Sequence, residues 1–114
     1  MRRGEIYLVE NPSKEDPRPR RPFVIISRQA VIDGRFSTVT CAPIYTNYHN
    51  FESQVPIGIE EGLKHDSAIH CDELVSFTKK RLTHYLGSLG PEKTRQLNDA
   101  LRIALELDHD EYVY

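Results

Sequence analysis

Phe23-Val24-Ile25-Ile26-Ser27 is the stretch on which the fold turns. Four consecutive apolar residues, three of them β-branched, fit neither the period of a surface helix nor the alternation of a half-exposed strand. Between a proline and polar residues, a run of that length reads as a strand buried on both faces. Just upstream, residues 11–22 (NPSKEDPRPRRP) hold four prolines and no hydrophobic periodicity, the mark of a stiffened, extended surface loop. Before that loop, Glu5-Ile6-Tyr7-Leu8-Val9 reads as an aromatic, β-branched strand that stops at Asn11-Pro12.

Downstream, a turn or helical turn over residues 28–34 leads to Ser37-Thr38-Val39-Thr40-Cys41-Ala42-Pro43-Ile44, a third strand with a bend or end near Pro43. Residues 47–53 form a polar, aromatic loop. Gln54-Val55-Pro56-Ile57 suits a short edge strand, and Glu60-Glu61-Gly62 a turn. Further short strands are predicted at Ser67-Ala68-Ile69-His70-Cys71, Glu73-Leu74-Val75-Ser76-Phe77 and Tyr85-Leu86-Gly87-Ser88-Leu89. Gly90-Pro91-Glu92 opens the one convincing helix, with an apolar stripe at Leu97, Leu101, Ala104 and Leu105. Residues 108–114 trail off as an acidic, aromatic tail. The sum predicts a mainly β chain with a C-terminal helix, a small and strongly bent β-barrel.

The 114 residues suffice for one domain, 1–114, and leave little room for a second. With 39% hydrophobic and 28% charged residues, collagen-like and disordered readings drop out. No apolar run approaches the roughly 20 residues of a membrane span, and no signal-peptide stretch follows the initial Arg2-Arg3. A soluble, cytoplasmic protein without membrane contact is expected. Cys41 and Cys71 sit in separate apolar segments, which argues against a disulfide scaffold or a cysteine zinc cage and for two reduced, buried thiols. The net charge of −2 conceals an asymmetry. Residues 1–35 carry eight Lys/Arg against five Asp/Glu, or +3; residues 36–114 carry seven against twelve, or −5. Positive charge gathers around one loop, as suits a polyanion held in one groove.

Lys14, Arg18, Arg20 and Arg21 lie on or beside the proline-stiffened loop. Arg21, pinned by Pro22 at the mouth of the buried strand, suits a phosphate clamp, because a guanidinium binds phosphate bidentately and stays charged. The plainer reading is a solvated basic loop with one structural ion pair. Residues 43–51 crowd hydroxyls, amides and aromatics together, fit either for stacking on single-stranded bases or for an ordinary turn. The five histidines show no metal-ligand spacing, and His70 reads as a packed or surface side chain. Adjacent carboxylates at Glu60-Glu61 and Asp72-Glu73 point to opposite faces if on strands, so they form no acid–base dyad. No nucleophile elbow or phosphate-binding glycine loop is present. No metal and no cofactor is implied.

Taken in order, RRGEIYLV (2–9), RRPFVIIS (20–27), GRFSTVTCAPIYTN (34–47), GLKHDSAIHCDELVSFTKKRL (62–82) and LGPEK (89–93) resemble the MazF/PemK family of toxin endoribonucleases. The resemblance implies an SH3-like β-barrel with a terminal helix, a homodimer, and a cognate antitoxin protein that folds along it. It also implies metal-independent, sequence-specific cleavage of single-stranded RNA, leaving a 2′,3′-cyclic phosphate and a 5′-OH. The family's catalytic arginine and threonine would fall here on Arg21 and Thr46. RNA contacts would fall on Lys14, Arg18 and Arg20, on Asn47 and Tyr48, and on Ser67, Asp72, Glu73 and Ser76. The chain departs from the family where many members carry G-S-E-Q-x-G before the arginine; here that loop reads KEDPRPR. Two alternatives keep the fold without the chemistry: a barrel that binds a protein target, as gyrase-poisoning relatives do, and a module that binds RNA without cleaving it.

Overall fold

The computed structural model describes residues 1–107; the predicted tail at 108–114 lies outside them. Seven antiparallel strands and two helices follow one another: β1 (Glu5–Glu10), β2 (Arg20–Ile25), α1 (Gln29–Asp33), β3 (Thr38–Tyr45), β4 (Gln54–Ile57), β5 (Ser67–His70), β6 (Val75–Thr78), β7 (His84–Ser88) and α2 (Pro91–Ala104). The sheet runs β4-β5-β3-β2-β1-β7, with β6 on β3. β3 is the hinge of the sheet. Its first half pairs with β6 from Thr38↔Thr78 to Cys41↔Val75, and its end pairs with β5 at Ile44↔Ile69 and Tyr45↔Ala68. Two partners along one strand make the sheet curl into a half-barrel, the mostly β architecture with a C-terminal helix that the sequence predicts.

The apolar run behaves as its composition requires. Phe23, Val24 and Ile25 are all 2% exposed or less, and alternation sends them into two different cores. Val24 packs with Ile6, Ile44, Ile69 and Leu97, under α2. Phe23 and Ile25 pack on the other side with Val9, Val39, Phe77 and, from α1, Ile32. Phe23 and Phe77 meet edge to face at 4.7 Å. Cys41 and Cys71 are free and buried, one in each core, and burial pushes both thiols up to about 12.

Two boundaries differ from expectation. β2 starts at Arg20, so Arg20 to Pro22 belong to the strand rather than to the loop. Pro22 is tolerated because only β1 pairs there, at Leu8↔Pro22; the pairing to β3 covers Phe23 to Ile25 alone. The helix stripe stops early as well. Leu97, Ala100 and Leu101 are buried, but α2 ends at Ala104 and Leu105 is 52% exposed. Glu106 then turns left-handed (φ 54°), and the Leu107 N–H closes on the Arg102 carbonyl at 2.9 Å.

Candidate functional site

The pairing of β2 with β3 decides which side chains meet. Phe23 faces Pro43 and Val24 faces Ala42. Carried toward the strand ends, the same register sets Arg21 opposite Tyr45 and Arg20 opposite Thr46. Tyr45 is the last residue of β3, and Thr46, just past it, lines with Arg20 a cavity whose lining does not include Arg21.

Arg21 is 6% exposed as a residue, and its guanidinium lies over the Tyr45 ring, 4.1 Å from the centroid. Its Nη1 donates to the Ile44 carbonyl at 3.0 Å, and its Nε donates to Asp16 Oδ2 at 2.6 Å, with Nη2 on the same carboxylate oxygen. Asp16 reaches in from the proline-rich loop. Its carboxyl is held below the ordinary range, foremost by the Arg18 backbone N–H on Oδ1 (2.9 Å) and then by Asn11 and Arg21. The loop itself is tied by Asn11, whose N–H reaches the Pro19 carbonyl and whose Nδ2 reaches that of Arg18.

Tyr45 continues the cluster. Its Oη donates a long hydrogen bond to Glu73 Oε1 (3.4 Å), and its ring meets that of His70 edge to face at 4.6 Å. Burial, and then the Glu73 charge, raise the phenol above its usual value, with Arg21 opposing. His70 Nδ1 lies 3.4 Å from Glu73 Oε2 and 3.5 Å from Gln54 Nε2. Its Nε2 is buried without a hydrogen-bond partner, and burial lowers its pKa, so the ring is neutral at neutral pH. The His70 of the sequence reading is thus packed, but inside a polar cluster.

The other face is open. A cavity of about 300 Å³ is lined by Arg18, Arg20, Thr46, Lys64, His65 and Ser67 over an apolar floor that includes Leu8, Ile44 and Leu63. It shares Leu8 and Arg20 with a neighbouring groove of about 470 Å³ that Glu10, Arg81, Thr83 and His84 complete. Glycine sets the wall. A Cβ on Gly62 would lie 2.2 Å from the Leu86 carbonyl oxygen, and one on Gly87 would lie 2.1 Å from that of Glu61. Main chain therefore touches main chain where the turn after β4 meets β7, which brings Lys64 and His65 to the cavity rim.

Of the residues singled out from sequence, Arg18, Arg20, Thr46 and Ser67 come together in this cavity. Ser67 is buried, its hydroxyl on the His65 carbonyl at 2.9 Å. Glu73 joins Arg21 through Tyr45. Asp72 accepts from the buried Ser53 hydroxyl. Lys14 and Asn47 are exposed and line neither the cavity nor the groove. Tyr48 lines a separate, acidic hollow with Glu60, Glu61, Asp66 and Lys93. Ser76 sits beside Thr40, six residues and about 20 Å along β3 from Thr46, and is not part of the site. Tyr45, Lys64, His65 and Arg81 lie inside segments that carry the family resemblance but receive no individual role from sequence, and His84 lies outside them. Only the parity between the apolar runs of β2 and β3 could have set Tyr45 beside Arg21.

Comparison with known proteins fits this architecture. The model of the PemK-like, MazF-like toxin of type II toxin–antitoxin systems matches residues 2–105. The chain is 30% identical over 88 residues to "Endoribonuclease MazF3" of Mycobacterium tuberculosis, covering 77% of this chain and 84% of that protein. Among solved structures it is similar to the Mycobacterium tuberculosis toxin MazF-mt6, with a TM-score of 0.79 at 26% identity over 91% of this chain and 98% of that one. A mycobacterial endoribonuclease in complex with its cognate antitoxin shares the fold, with a TM-score of 0.81 at 23% identity over 94% and 96% of the two chains. With nearly the whole described chain inside the family model and the same curled sheet in its relatives, the chain belongs to the PemK-like, MazF-like toxin family.

Proposed function

We propose that this chain is an endoribonuclease that cleaves single-stranded RNA at a short sequence without a metal ion, as the toxin of a toxin–antitoxin pair. The observation that carries the reading is the placement of a fixed guanidinium, Arg21, at the strand ends that also open into a cationic cavity. Similarity to an endoribonuclease over three quarters of the chain supports it. In this reading the 2′-oxygen attacks the adjacent phosphorus and the 5′-oxygen leaves. The proton lost by the 2′-hydroxyl is balanced by one gained at the 5′-oxygen, giving a 2′,3′-cyclic phosphate and a 5′-OH. Arg21 balances the charge that builds on the phosphate in the transition state. Arg18, Arg20, Lys64 and the Thr46 hydroxyl receive the backbone of flanking nucleotides, and Lys14, Asn47 and Tyr48 contact RNA outside that cavity. Asp72 and Glu73 accept from exocyclic amines of the bases. The toxin acts as a homodimer in the cytoplasm and is neutralised by a cognate antitoxin.

A second reading, RNA binding without cleavage, is favoured by one observation: Asp16 already occupies Arg21. Incubation with a long single-stranded RNA in EDTA, followed by primer-extension mapping of the ends, separates the two. Cuts at one short sequence, carrying 5′-OH ends and absent with Arg21→Ala, are the expected result. Intact RNA with folded, antitoxin-free protein leaves the binding reading in its place.

A further inference from the structure

The register of β2 and β3 reassigns the hydroxyl that works with Arg21. We propose that Tyr45, rather than Thr46, is the catalytic residue that donates a hydrogen bond to the scissile phosphate beside Arg21; this rests on the ribonuclease reading. Every neighbour of the Arg21 guanidinium is on one side of the sheet: Asp16, the Ile44 carbonyl and the Tyr45 ring. Thr46 lines the cavity of Arg18 and Arg20, whose lining does not include Arg21. A phosphate that reaches the free N–H groups of Arg21 must therefore come down beside Tyr45.

Both groups are held ready in the free protein. Arg21 rests on the carboxylate of Asp16, and the Tyr45 hydroxyl rests on that of Glu73. A phosphodiester offers two oxygens of the same charge and acceptor character, so it can replace a carboxylate at each donor without leaving either unpaired. The Tyr45 ring is braced by Arg21 and by His70, at 4.1 Å and 4.6 Å between groups. A half-buried phenol beside a carboxylate is raised above its usual value and keeps its proton, which suits it to donate a hydrogen bond rather than to act as a base. No proton changes hands at Tyr45. Its part is to hold charge on a phosphate oxygen as the 2′-oxygen attacks.

The test compares Tyr45→Phe, which keeps the ring over Arg21 and loses only the hydroxyl, with Thr46→Val. Cleavage of a single-site RNA is timed under saturating and subsaturating conditions. Binding of a 2′-O-methyl oligonucleotide of the same sequence, which cannot react, checks that each variant is folded and competent. The proposal expects Tyr45→Phe to lose on the order of a hundredfold in kcat, with binding of the inert oligonucleotide unchanged within about twofold. Thr46→Val, which loses a contact to the flanking backbone, should instead weaken binding of the inert oligonucleotide several-fold and raise KM. Wild-type turnover by Tyr45→Phe, or the kcat loss falling on Thr46→Val instead, overturns the role of Tyr45 and leaves the ribonuclease standing. Wild-type protein that cuts no RNA overturns both, and that outcome is read from the wild-type reaction alone.

Discussion

At the scale of single residues, Arg21 and Asp16 pose a trade. The pair is 7% and 12% exposed at its side chains, so removing the carboxylate strands a charge that water barely reaches. Asp16→Asn should therefore lower stability, by about 1–3 kcal/mol in urea unfolding. The same change frees Arg21 for phosphate, so RNA binding should tighten several-fold, on the order of 1 kcal/mol. Stability and affinity moving in opposite directions is the signature; a loss of both would show that Asp16 positions Arg21 rather than competes with RNA. The pH dependence follows from the same cluster. Asp16 titrates below its ordinary value, so its stabilisation is complete above about pH 4 and is lost as pH falls through the lower native value. His70 is also depressed, by burial, so its contribution is complete above about pH 6.5 and declines as pH falls below that. Unfolding midpoints measured from pH 8 to pH 3 should show two successive descents. His70→Gln should remove the upper one and Asp16→Asn the lower.

At the scale of elements, the contact between the turn after β4 and β7 is the most demanding feature. Gly62 adopts φ 96°, in the left-handed region, and a methyl group there would meet the Leu86 carbonyl at 2.2 Å. Gly62→Ala should cost about 2–4 kcal/mol, from strain and from separation of two backbones. A drop in thermal midpoint of under about 2 °C, a shift that corresponds to well below 1 kcal/mol, would argue against that contact. Element by element, the sequence was legible where composition alone specifies burial. The 23–25 run, sandwiched between two cores, could hardly be anything but a central strand. Gly90-Pro91-Glu92 marked the start of α2 for the same local reason. Arg20 to Pro22 were not legible, because proline suggests a break and only the pairing with β1 shows that one unpaired side tolerates it. The choice between Tyr45 and Thr46 was beyond reach for a different reason: adjacent residues point to opposite faces, and register is a property of two strands together. The rim contributed by Lys64 and His65 and by Arg81 and His84 is assembled from two segments far along the chain from Arg18 and Arg20, which no local spacing can reveal.

At the scale of the whole molecule, Arg18, Arg20, Lys64 and Arg81 gather along one cavity and its neighbouring groove, while Glu60, Glu61 and Asp66 line a separate hollow. RNA affinity should accordingly fall with salt. If Arg18, Arg20, Lys64 and Arg81 each neutralise one phosphate, log K against log[NaCl] should have a slope of about −3, at about −0.7 per contact on a single strand. Arg20→Ala should flatten that slope by about 0.7, whereas Arg21, already neutralised by Asp16, should contribute little to it. Fluorescence anisotropy at several salt concentrations measures both. The glycine contact carries a consequence for how such proteins diverge. Gly62 and Gly87 fix the contact between the turn after β4 and β7 with backbone alone, so that part of the frame admits no added side chain. In the ribonuclease reading, new target sequences must then arise at side chains that face the bases, such as the exposed Asp72 and Glu73, which belong to neither core. A lineage can change its target repeatedly through such surface exchanges and keep one frame throughout.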